Sequence, residues 1–282
     1  NRAVLGKVYH GEPIVVKAAD AVAFAEATND TNPAFFDARR AGGVIAPPLL
    51  PVKYCNQIYF QVFQDPALKV DLARLLFGEM DMRFFAPIRP RDLIVAKAQI
   101  SSIEDKDTGQ VLSVRTRIMC DGEAKCEATA AFFVRFAGKG RVRPLKAREG
   151  GDKEAAPEVA FEDAMLIQDD QTNRFAKAAD DPNPIHVDDA FARSVGLPGR
   201  ILHGLCSMTF TGEAFVNQAC GGDPEKLKRL KVRFSKPALP GQTITTRAFA
   251  PEVSAAGKAY RFVAMTSPTD LIITGGEAEV RG

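Results

Sequence analysis

The sequence predicts an α+β fold in which an antiparallel sheet wraps around a long helix, with the whole unit occurring twice in one chain as a pseudo-dimer. Three observations predict it. The chain repeats itself at a nearly constant offset, and each repeat carries an apolar helical segment followed by runs of strand-forming residues. One segment, LHGLCSMTFTGEAFVNQ from Leu202, is too long and too continuously small and apolar for a surface helix.

The repeat decides the domain count. MRFFAPIRPRDLIV at 82–95 aligns without gaps on VRFSKPALPGQTIT at 232–245, an offset of 150, and both keep Arg-Phe, then Pro, then Pro. AFAEATNDTNP at 23–33 aligns on RFAKAADDPNP at 174–184 at an offset of 151. Between the repeats, GKGRVRPLKAREGGDKEAAPE at 138–158 is rich in charge, Gly and Pro and reads as a solvated linker. The halves are then 1–137 and 159–282. Within each, an apolar-periodic segment (Val22 and Ala25; Phe175 and Ala179) predicts a helix that ends at the Asp/Asn/Pro cluster. The Leu202 segment predicts a buried central helix. QVLSVRTRIMC, CEATAAFFVRF, TITTRAFA and KAYRFVAM, rich in Val, Ile, Thr and Phe, predict antiparallel strands.

Composition excludes several function classes. The 282 residues are 46% apolar without a membrane-length apolar run, and a net charge of +2 provides no general field for gripping a polyanion. Neither a membrane nor nucleic acid is expected as a partner. Five cysteines, odd in number and without a CxxC pair, predict buried thiols in a reducing compartment. A start at NRAVLGKVYH and an end at EVRG, with neither secretory leader nor SKL address, point to the cytoplasm. No P-loop, GxSxG, HExxH or GxGxxG is present.

The candidate chemistry sits in DDPNPIHVDDAFA, 180–192, where Asp181, Asn183 and His186 fall within six positions on a stretch that Pro182 and Pro184 are expected to stiffen and keep out of helix. Proton transfer needs a carboxylate and an imidazole held rigidly near one water and one substrate carbon. The same residue types are ordinary turn formers, so spacing alone leaves both readings open. His203 and Gly204 stand at the predicted start of the buried helix, whose N–H groups lack intrahelical partners and whose dipole is positive. A glycine there lets a carbonyl oxygen approach, as in an oxyanion hole. For His203 the expectation is a helix cap. The first half keeps Asp30, Asn32 and Pro33 but has Phe35 in place of His186, and Ala46-Pro47-Pro48 where the second has His203-Gly204-Leu205. Phenylalanine transfers no proton and proline donates no N–H, so the first half is expected to shape the site and the second to carry the chemistry.

DDPNPIHVDDAFARSVGLPGRILHGLCSMTF followed by KVRFSKPALPGQT resembles the hydratase-2 family, the (R)-specific enoyl-CoA hydratases that include MaoC-like dehydratases and the hydratase unit of peroxisomal multifunctional enzyme type 2. The resemblance is close over 174–245 and looser over the first half. The family motif D-x-N-P-x-H is met at Asp181, Asn183, Pro184 and His186, and the family's His-Gly helix start at His203 and Gly204. The resemblance implies a double hotdog fold. It implies that Asp181 and His186 activate a water for reversible syn hydration of a trans-2-enoyl-CoA to a (3R)-3-hydroxyacyl-CoA. By it Asn183 orients the water or His186, and the Gly204 N–H polarises the thioester carbonyl. The substrate implied is an acyl-CoA, with no metal or redox cofactor.

The same resemblance extends to CoA contacts at Phe234, which is equally well read as a core strand residue, and at Lys106, which sits in a solvated turn. Gly78 in FGE is expected at the family's His-Gly position in the first half, preceded by Phe77 where some members have histidine. YFQVF at 59–63 lines an acyl tunnel or simply fills core. The basic runs 226–233 and 141–148 meet CoA phosphates or form solvated faces, the second being the better reading. Two other functions stay open at this point: a hotdog thioesterase using Glu213 on the central helix, and a non-catalytic acyl-CoA binding protein. A homodimer through exposed sheet edges is also open.

Overall fold

The computed structural model describes residues 1–136 and 157–282. The expected linker lies outside them apart from its last two residues, and the basic run 141–148 lies outside them entirely. The first half runs β1 (Val8–His10), β2 (Ile14–Val15), α1 (Ala18–Ala27), α2 (Pro51–Gln64), β3 (Leu75–Phe84), β4 (Leu93–Lys106), β5 (Gly109–Cys120) and β6 (Glu123–Arg135). The second runs β7 (Val159–Leu166), α3 (Gln171–Ala178), α4 (Pro184–Val187), α5 (Asp189–Ser194), α6 (Gly204–Gln218), β8 (Leu227–Phe234), β9 (Thr243–Phe249), β10 (Glu252–Ser254), β11 (Gly257–Ser267) and β12 (Asp270–Val280).

All strand pairings are antiparallel, and the main path reads β1-β4-β5-β6-β3-β8-β12-β11-β9-β7. The order is a palindrome about the β3–β8 junction: each half is one sheet, and the two sheets join edge to edge. On β4, Ile94, Ala96, Ala98 and Ile100 alternate inward, while α2 buries Val52, Cys55, Ile58, Tyr59 and Val62. Helix α6 is buried nearly all round, from Leu205 to Val216, as the sequence predicts. It packs so closely that a Cβ on Gly212 would stand 2.8 Å from Leu49 Cδ2, across from the first half. All five cysteines are free and buried.

The 226–233 basic run faces carboxylates. Arg229 grips Asp81 with two bonds of 2.8 and 2.7 Å and reaches Glu277 at 2.8 Å, while Arg233 meets Glu79 at 2.7 Å and Lys231 meets Glu277 at 2.9 Å. Its cations stitch β8 to β3 and β12, and so the second half to the first. Among the described residues no helix is long and apolar enough to cross a membrane.

Candidate active site

Local sequence explains where the loop after α3 puts its side chains. Asp180 follows the helix end with φ +50°, a left-handed conformation that Asp tolerates, and the Asp181 N–H then donates back to Ala176 O at 3.0 Å. The chain turns sharply and delivers Asp181. Asn183 next accepts the Ile185 N–H on its side-chain oxygen at 3.3 Å, with Pro184 opening α4. His186 therefore rides on one turn of helix, a correction to the expectation that the two prolines keep this stretch out of helix. Proline suits the first helical position, where its missing N–H would have had no partner. Asn183 itself is exposed, and its side chain caps the turn that carries His186.

His186 is 8% exposed, and its Nδ1 lies 2.8 Å from Ile201 O. A carbonyl only accepts, so Nδ1 carries the proton and Nε2 keeps a free lone pair. His203 is 1% exposed, and its ring stacks on His186 with centroids 3.8 Å apart and 25° between planes. Its Nε2–H donates to the main-chain oxygen of Asp181 at 3.1 Å, whereas its buried Nδ1 has no partner. It makes no side-chain cap on α6, which corrects the capping expectation. A carboxylate oxygen of Asp181 and one nitrogen of each histidine all lie within 4.8 Å of one another.

Burial pushes the His186 imidazole below its ordinary range, against the pull of the Ile201 carbonyl and the Asp181 charge. His203 lies well below that range, through burial first and His186 second. Both rings are neutral at pH 7. Three such residues are metal-ligating types, but ring lone pairs lie in the ring planes, and two stacked rings aim theirs nearly parallel rather than at one ion. The arrangement suits proton transfer better than coordination.

Gly204 opens α6 directly after His203. The Phe234 ring rests on it: a Cβ there would meet three ring carbons at 3.1–3.3 Å. Phe234 thus covers the half-buried start of α6 and also packs edge-on to Phe77 at 5.4 Å. The structure brings Asp181, Asn183, His186, Gly204 and Phe234 together, while the two other expected residues stand on the first half's sheet. Lys106 ends β4 at an exposed hairpin, paired with Glu104 at 2.9 Å. Gly78 lies inside β3 at a register shift, not at a helix start.

Hydrogen bonds identify the true counterpart of Gly204 in the first half. Ile45 N bonds Ala34 O and Ala46 N bonds Ile88 O, as Ile201 N bonds Ile185 O and Leu202 N bonds Ala238 O. Pro47 therefore corresponds to His203 and Pro48 to Gly204, one residue from the expected register. The lack of an N–H at that position survives the correction.

Sequence reasoning missed the clamp supplied by α2. Asn56 Nδ2 donates to Ala179 O at 3.1 Å, Gln57 Nε2 to Asp180 at 2.7 Å, and Lys53 approaches Asp180 at 3.7 Å. Their i, i+3, i+4 spacing on one side of α2 was the available signal. Glu213 has Asp30 and Asp163 as charged neighbours, and burial first of all raises its carboxyl to about 8.

With that geometry in hand, the chain can be set beside known proteins. A family model described as MaoC like domain matches residues 152–269, and one described as FAS1-like, dehydratase domain region, matches 3–127. The second half of the chain carries a MaoC like domain. A MaoC-like dehydratase structure from Phytophthora capsici superposes with a TM-score of 0.78 at 26% identity, covering 99% of this chain and 96% of that one. Among sequences, enoyl-CoA hydratase 2, peroxisomal, of Arabidopsis thaliana is 27% identical over 64% of this chain and 62% of its own length. Peroxisomal multifunctional enzyme type 2 of Mus musculus is 31% identical over 64% of this chain and 25% of its own length. The chain thus spans less than two thirds of both. Its paired sheets are the double hotdog architecture.

Proposed function

We propose that the protein is a hydro-lyase that adds water across a trans-2-enoyl-CoA to give a (3R)-3-hydroxyacyl-CoA, and runs the dehydration in reverse. One observation carries the reading: the Asp181 carboxylate and the His186 ring lie within 4.8 Å, a gap one water bridges, on a loop fixed at both ends. The Nδ1–H of His186 is committed to Ile201, so Nε2 faces the water as a base. As the water oxygen bonds to C3, one member of the pair takes its proton, and a proton is returned to C2 on the same face. The pair ends the cycle as it began. The Gly204 N–H, at the positive end of α6, stabilises the charge that gathers on the thioester oxygen in between.

The first half, 1–137, supplies shape in this reading, and the catalytic half is 159–282. An aromatic wall runs from Phe234 to Phe77 at 5.4 Å, on to Phe132 at 4.7 Å and to Phe63 at 4.9 Å, leading from the helix start toward α2. An acyl chain laid along it would meet apolar surface throughout. Hydration of crotonyl-CoA and longer enoyl-CoAs, followed by loss of enoyl absorbance and by product chirality, tests the proposal. Wild type is expected to form the 3R product, and Asp181→Asn to lower kcat by about 10²- to 10⁴-fold. A 3S product, or a variant with undiminished turnover, refutes the reading.

A further inference from the structure

His203 has no role in the chemistry above, yet it touches both members of the pair. Its ring lies against the His186 ring at 3.8 Å, and Phe175 backs it at 5.0 Å. Its Nε2–H holds the Asp181 main-chain oxygen at 3.1 Å. We propose that His203 is a positioning residue for the Asp181–His186 pair, its ring the floor under His186 and its Nε2–H the tether of the Asp181 backbone. This deepens the hydratase reading and rests on it for its kinetic part.

Two observations favour a functional over a merely packing role. Phenylalanine or leucine would fill the same buried space without stranding a polar atom, whereas the imidazole leaves Nδ1 buried and unpartnered, a burden on folding. Only a flat ring that also carries an N–H can do both jobs at once. In the first half the two histidines are lost together: Phe35 replaces His186 and Pro47 replaces His203, although the Asp and Asn of the loop persist. A floor has no use where there is no base to support.

Two variants divide the roles: His203→Phe keeps a flat ring and loses the donor, whereas His203→Gln keeps an N–H for the same carbonyl and loses the ring. The inference predicts that each variant lowers kcat for enoyl-CoA hydration about tenfold or more with KM within about twofold. A second readout is independent of turnover. The chain has three histidines, His10, His186 and His203, so nitrogen-15 spectra resolve their tautomers. Wild type is expected to show His186 protonated on Nδ1 alone and His203 on Nε2 alone, with His186 becoming a tautomer mixture in His203→Gln, where the ring that holds it against Ile201 O is gone. An unchanged kcat, or a loss lying in KM and melting temperature together, overturns the role. So does a His186 tautomer indifferent to His203→Gln. If wild type hydrates no enoyl-CoA, the functional reading fails, and the tautomer spectra still decide whether His203 positions the pair.

Discussion

The two halves build the same loop and do different things with it. After α1, Asn29 takes the left-handed turn at φ +61° and Asp30 N–H returns to Ala25 O at 2.9 Å; after α3, Asp180 and Asp181 repeat both steps. Asn32 caps the next turn through Ala34 N–H at 2.9 Å as Asn183 does through Ile185 N–H. Asp30 also accepts the Asn32 N–H at 2.9 Å, on a loop that carries no imidazole. The Asp, Asn and Pro of the motif are therefore a folding device in their own right. What sets the second half apart, and carries the proposed chemistry, is His186, His203 and Gly204, against Phe35, Pro47 and Pro48.

That contrast breaks most visibly at the pair His186 and Phe35. His186→Ala is expected to lower hydration by about 10²- to 10⁴-fold with little change in melting temperature. Phe35, fully buried with Ala25, Ala34 and Ile45, should behave the other way: Phe35→Ala costs about 3–5 kcal/mol of stability by urea unfolding, and the folded fraction keeps its kcat. If both variants lost stability and activity in parallel, the division of labour would be wrong.

The helix starts sharpen it next. Gly204→Ala forces the Phe234 ring to move and tests the close approach; Gly204→Pro adds loss of the N–H at a position where folding tolerates proline. The second variant is expected to lose a further factor of about 10² in kcat relative to the first. Pro48→Ala in the first half should leave turnover unchanged.

The smallest effects are those of pH. Burial depresses His186 and His203, so the stability they permit is complete above the ordinary imidazole range and is lost as pH falls through and below it. The acid limb of kcat should accordingly lie below that range. Glu213 has the opposite sign: raised to about 8, it contributes fully below the ordinary carboxylate value and loses its contribution as pH rises toward and through 8. Glu213→Gln should therefore raise the melting temperature at pH 9 and leave it nearly unchanged at pH 5. A gain of equal size at both values would show that Glu213 is not buried as a neutral acid.

Much of the architecture was legible in the chain because it is written in periodicity. The repeat gave the two sheets, and the unbroken apolar run from Leu202 gave α6. The site was legible in part. Asp181, His186 and Gly204 share a short stretch whose turn chemistry is local, so spacing was enough to group them. The stacking of His203 on His186 depends on how α6 enters beneath α4, which spacing does not encode, and the ring was taken for a cap. The α2 clamp was missed for a similar reason: Lys53, Asn56 and Gln57 meet the loop only through the pairing of the halves. The register at Pro48 shows the limit of matching residue types alone, since the second half carries extra residues between its loop and its helix, and only backbone hydrogen bonds recover the register.

The most direct test makes one substitution in each half and follows crotonyl-CoA hydration in the two variants side by side. Asp181→Asn is predicted to abolish all but a trace of turnover while Asp30→Asn, at the matching turn, retains kcat within about threefold. Equal losses from the two, or a fully active Asp181→Asn protein, would contradict the assignment of the chemistry to the second half.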